Sequence, residues 1–99
     1  MGKNVSVYEL RKEMPKFNMF GVDITDPISN IQTIAFYDSA EVLHSISPTI
    51  IFRSGESYLM VRDIVHIEYL DYKGDAAILL ECKNRFTKAP TSIRITCSM

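Results

Sequence analysis

The sequence predicts a single α+β domain: an antiparallel sheet of about five strands, a meander or a partly open small barrel, with two short helices. Three observations carry this. The chain has 99 residues, the length of one ordinary domain. Its apolar residues follow a helical period in two short stretches before residue 47, then alternate one-in, one-out from Thr49 onward. Turn-forming residues divide that second part at intervals too short for crossovers, which favours antiparallel neighbours.

The elements follow in order. Ser6 and Glu9 have the spacing of a capping box, and Val7, Leu10 and Met14 lie on one helical stripe. Pro15 ends the run, since proline has no N–H to donate. The first helix is therefore predicted over residues 7–14. Residues 16–29 read as a loop, punctuated by Gly21, Asp23, Asp26, Pro27 and Ser29. Phe17, Met19, Phe20, Val22 and Ile24 would pin that loop to the core, leaving residues 1–28 as a helix and loop segment tied less firmly to the sheet.

Residues 31–37 are β-branched and aromatic, and predict a strand. Asp38 and Glu41 again have capping spacing, and Ala40, Val42, Leu43 and Ile46 predict a second short helix over residues 38–46. A single helix over 31–46 is the rival, disfavoured because Asp38 is a poor helix-interior residue. Strands are then predicted at 49–53, 57–61, 64–72, 76–83 and 91–98. Ser54-Gly55-Glu56 and Lys73-Gly74-Asp75 supply hairpin turns, and Arg62-Asp63 a kink or bulge. Ala76, Ile78, Leu80 and Cys82 share one face, as do Ile93, Ile95 and Cys97. In residues 64–72, strict alternation sets Val65, Ile67 and Tyr69 against Ile64, His66, Glu68 and Leu70.

The balance of 11 basic and 12 acidic residues argues against a dedicated polyanion binder. No run approaches the ~20 apolar residues of a membrane-spanning helix. The start has no secretory pattern, and Met1-Gly2 with Ser6 matches only the short myristoylation signature. A cytoplasmic location and no membrane partner are expected. The charge is unevenly placed, however. Residues 17–51 contain no Lys or Arg, whereas residues 83–99 contain Lys83, Arg85, Lys88 and Arg94 and no acid. With Phe86 among them, these five form the candidate binding site for a partner or a nucleic acid, since stacking plus cations suits single strands.

Little else points to chemistry. Cys82 and Cys97 fall on apolar parities and read as buried thiols. Neither belongs to a C-x-x-C pair. His66 and Glu68 share a strand face, but the Pro-Cys-x-x-Cys of zinc deaminases is missing. His44 reads as a helix C-terminal residue. Gly-rich phosphate loops, nucleophile elbows and H-E-x-x-H are absent. No catalytic residue, metal ligand or cofactor is therefore assigned. The expected function is a non-catalytic binding or assembly module with a protein partner, its own second copy included. A nucleic-acid-binding small barrel using the basic C-terminal hairpin is the alternative, and a small enzyme centred on His66 and Glu68, with Cys82, the second.

Overall fold

In the computed structural model, residues 2–26, 28–44, 47–72, 74–83 and 90–99 are described. The chain forms β1 (Lys3–Asn4), α1 (Val7–Glu13), a 3₁₀ turn (Met14–Lys16), β2 (Met19–Thr25), β3 (Gln32–Tyr37) and β4 (Ser39–His44). It continues through β5 (Pro48–Ser54), β6 (Ser57–Val61), β7 (Ile64–Tyr72), β8 (Asp75–Lys83) and β9 (Pro90–Ser98). All strand pairs are antiparallel. They build a six-stranded sheet of order β1-β7-β8-β9-β2-β3 and a three-stranded sheet of order β4-β5-β6. The predicted antiparallel architecture is present, but with nine described strands rather than about five, one α-helix rather than two, and no closed barrel.

The first helix forms as its cap predicts. Ser6 Oγ accepts from Glu9 N–H at 3.2 Å, and Glu9 Oε1 accepts from Ser6 N–H at 3.2 Å. Two donors that the helix cannot satisfy internally are thereby paired. Pro15 falls in the 3₁₀ turn that ends it. Seven residues are too few to stand alone. Val7, Leu10 and Met14 are buried, so docking supplies what length does not.

The second predicted helix is instead strand β4. Asp38 is no cap: its N–H donates to Arg53 O at 3.0 Å and so opens the ladder with β5. Val42 points into the core while Glu41 and Leu43 point out, a period of two. A six-residue segment cannot support a helix by propensity, and pairing along β5 decides the outcome. Ile46 lies outside the described residues.

The predicted loop at 16–29 also contains a strand, β2. Phe20 and Val22 are fully buried, and Gly21 and Asp23 lie on the opposite face. Gly21 acts here as a close-approach residue. A Cβ on it would stand 3.1 Å from the Phe36 ring of β3.

Two bends join the sheets. β3 runs into β4 through the single residue Asp38, and β6 runs into β7 through Arg62-Asp63. Asp63 adopts φ +55°, and its carbonyl accepts from Lys83 N–H at 3.0 Å. The β5–β6 link is the two-residue turn Gly55-Glu56. Gly55 at φ +60° holds the first position, as in a type II′ turn. Gly74 at φ +80° serves the β7–β8 turn.

A bulge lies at Val65, not at Arg62-Asp63. Ile64 pairs with Cys82 and His66 with Glu81, so Val65 is the extra residue. It turns outward and is 63% exposed, while Ile64 and Ile67 both face the core. Strict alternation misplaces Ile64 and Val65 for this reason.

The core is sealed between the two sheets, with α1 beside β4. From the larger sheet come Phe20, Val22, Ile64, Ile67, Ala76, Ile78, Leu80, Cys82, Ile93, Ile95 and Cys97. The smaller sheet contributes Val42, Ile50, Phe52 and Val61. Phe52 stacks at a tilt on Phe20 (5.9 Å between centroids) and on Tyr37 (5.8 Å), joining the layers. Phe52→Ala should therefore cost about 3–5 kcal/mol in urea unfolding, against less than ~1 kcal/mol for the exposed Phe36→Ala. Ser6→Ala should cost about 1 kcal/mol in the same assay.

Candidate interaction surface

The larger sheet has one face in the core and the other in solvent. Its outer face carries His66, Glu68 and Leu70 of β7, and Ala77, Leu79 and Glu81 of β8. β9 adds Ser92, Arg94 and Thr96, β2 adds Gly21 and Asp23, and β3 adds Ile34 and Phe36. On this outer face Ala77 is buried and Leu70 and Leu79 are half-buried, while His66, Glu81 and Arg94 are exposed.

Of the five predicted binding residues, the described ones are Lys83 and Arg94. Lys83 is exposed at the end of β8. Arg94 is exposed on the outer face, opposite Asp23 on one side and Leu79 on the other. Arg85, Phe86 and Lys88 lie outside the described residues. Arg94 shares a shallow concavity of about 320 Å³ with Asp23, His66, Glu68, Glu81 and Ser92. That is one guanidinium among three carboxylates, an unfavourable field for a phosphate backbone. Asp23 Oδ2 accepts from Gln32 Nε2 at 2.6 Å, while its Oδ1 is enclosed without a described partner.

His66 and Glu68 do line one concavity, but Cys82 is not with them. Cys82 points through the opposite face into the core. Burial, then the charge of Asp63, pushes its thiol up to about 11, and burial alone pushes Cys97 up to about 12. A nucleophilic cysteine needs the reverse shift. Among the described residues no group of three His, Cys, Asp or Glu side chains could hold a metal. Nor is any described helix long and apolar enough to cross a membrane. His44 ends a strand, not a helix, and its Nδ1 lies 3.2 Å from the Tyr8 hydroxyl.

A second hollow, of about 310 Å³, lies between α1 and the β1–β7 edge. Lys3, Glu9, Glu13, Lys16, Tyr69 and Asp71 line it. Its charges are mixed, and Lys16 Nζ already meets Glu13 Oε2 at 2.6 Å. Burial foremost, then Glu13, Asp71 and Cys97, raises the Tyr69 hydroxyl to about 12. It stays protonated at neutral pH.

The feature that pattern reading did not single out is β3. It pairs with β2 alone and forms an edge of the six-stranded sheet. Ile34 is 57% and Phe36 67% exposed there, beside the exposed Met19 of β2. Hydrogen bonds close the hairpin that presents them. Asp26 N–H donates to Ile31 O at 3.0 Å, Asn30 N–H to Asp26 O at 2.8 Å, and Ile28 N–H to Asp26 Oδ1 at 2.9 Å. Asn30 takes φ +60°, a conformation asparagine tolerates. The bonds from Ile28 and Ser29 hold the Asp26 carboxyl below its usual range. The available signal was the absence of any charge over residues 27–37.

Comparison of the chain with protein-family models, with curated proteins and with solved structures finds no match.

The thiol environment yields a direct expectation. Cys82 and Cys97 should resist alkylation in the folded protein and react fully once it is unfolded in urea. The folded chain keeps thiol protons that the unfolded chain loses from about pH 9 upward. Their contribution to stability is therefore complete below pH 9 and lost as pH rises toward 11–12. Urea midpoints measured across that range check the sign.

Proposed function

We propose that the chain is a non-catalytic protein-interaction module that works through the β3 edge and the outer sheet face beside it. The observation that carries this is Ile34 and Phe36 standing exposed on an uncharged edge strand. An edge strand turns alternate N–H and C=O groups away from its single neighbour and is a template for another chain. Proteins usually blunt such edges with charge, proline or a covering element. β3 has no charge and no proline.

The two other roles have less in their favour. A nucleic-acid role would rest on Lys83, Arg85, Phe86, Lys88 and Arg94, and Arg94 stands among carboxylates. An enzymatic role would have His66 and Glu68 on an open face with Cys82 on the other side of the sheet.

Replacing Phe36 with a photo-crosslinking aromatic residue, in the cells that make the protein, tests the proposal. A discrete protein adduct should form from position 36 and none from Glu56, an exposed control in the β5–β6 turn. No adduct from position 36, or equal labelling at both positions, would reject the role.

A further inference from the structure

Two of the residue rows that build the core continue outward across β7 to β1, and they change character there. Val22, Ile95 and Ile78 lead through Tyr69 to Lys3, and Phe20, Cys97 and Ala76 lead to Asp71. Positions that are apolar and buried on β2, β9 and β8 thus carry a phenol, an ammonium group and a carboxylate at the edge opposite β3. Core packing gives no reason for that change.

The helix meets these groups with charges of its own. Glu9 and Glu13, four residues apart on one side of α1, line the same hollow, as does Lys16. Three carboxylates and two ammonium groups therefore surround about 310 Å³, at the lower end of the roughly 300–1,000 Å³ typical of small-molecule sites. Some of these groups are already engaged. Glu9 accepts from Ser6 N–H, and Glu13 accepts from Lys16. Among the described residues Lys3 and Asp71 have no ion pair, and the Tyr69 hydroxyl has no hydrogen bond. Lys3 pairs with Tyr69, so Asp71 is its diagonal neighbour, roughly 7–8 Å away on the same face. One unbridged charge of each sign is left, with a phenol beside both.

That pattern selects the ligand. A phosphate or other simple anion at Lys3 would meet three carboxylates, and a polyamine would meet two ammonium groups. A zwitterion satisfies both signs. We infer that the hollow between α1 and the β1–β7 edge binds a free aliphatic α-amino acid, its ammonium group held by Asp71 and its carboxylate by Lys3. Both contacts are charge-assisted hydrogen bonds. The Tyr69 hydroxyl, protonated at neutral pH, donates to the same carboxylate. Val5 and Leu10 line the hollow with apolar surface for the side chain. This site lies apart from β3 and does not rest on the interaction role.

Titration of the full chain with L-leucine, followed by amide NMR, tests this. Saturable shifts should appear at Lys3, Tyr69 and Asp71. Leucinamide, which lacks the carboxylate, and isocaproate, which lacks the ammonium group, should each bind about tenfold more weakly. Asp71→Asn and Lys3→Met should each weaken L-leucine by a similar factor while keeping the native far-UV spectrum. The two analogues are read on the native chain, so the inference stays testable should a variant fail to fold. No saturable shift with L-leucine, shifts centred elsewhere, equal binding of all three compounds, or full affinity in the folded variants would each overturn it.

Discussion

The structure depends on one row of side chains. Val22, Ile95 and Ile78 stand opposite one another on β2, β9 and β8, each buried and each facing the smaller sheet. On either side run the parallel rows Phe20–Cys97–Ala76 and Ile24–Ile93–Leu80. A one-residue slip in any of these strands would turn its apolar set into water. Register is thus fixed by burial. Once it is fixed, the remaining elements have only one apolar surface on which to pack.

Both the helix and the second sheet answer to that surface. α1 buries Val7 and Leu10, and the three-stranded sheet buries Val42, Ile50, Phe52 and Val61. Only the inner face is covered in this way. The outer face of the larger sheet mixes Leu70, Ala77 and Leu79 with polar residues over β7, β8 and β9, and presents exposed Ile34 and Phe36 at β3. The exposed apolar edge is therefore a product of the same layering: the core-forming face takes the covering elements among the described residues, and β3 is covered by none of them.

The alternating half of the sequence was the legible half. Ala76 to Cys82 and Ile93 to Cys97 declare their buried faces, and Ser6 with Glu9 declares the helix. Legibility failed where a local signal had two physical meanings. The spacing of Asp38 and Glu41 suits a cap, yet Asp38 N–H is used by a ladder bond to Arg53, a partner fifteen positions away that no local window contains. Gly21 and Asp23 look like loop residues because the reason for the glycine is the Phe36 ring on another strand. Val65 breaks the alternation of β7 through a bulge, which depends on the partner strand and not on β7 itself. The exposed apolar edge was hidden for a related reason: residues 31–37 were readable as a strand, but edge position follows from strand order, which neighbours in sequence do not reveal. The basic residues were conspicuous by contrast because charge is local.

The bend at Asp38 has a mechanical consequence. β3 and β4 are one length of chain, anchored along its first half to β2 and along its second half to β5, with a single residue between. Force applied along β3 acts in the plane of its ladder with β2. Several bonds bear it together, instead of opening one at a time from an end. What passes beyond Asp38 reaches the smaller sheet through β5, and from there Phe52 bears directly on Phe20 of β2. The load path returns to the strand where it began. A molecule held by β3 would thus be coupled through backbone ladders and the Phe52–Phe20 contact to both layers of the protein.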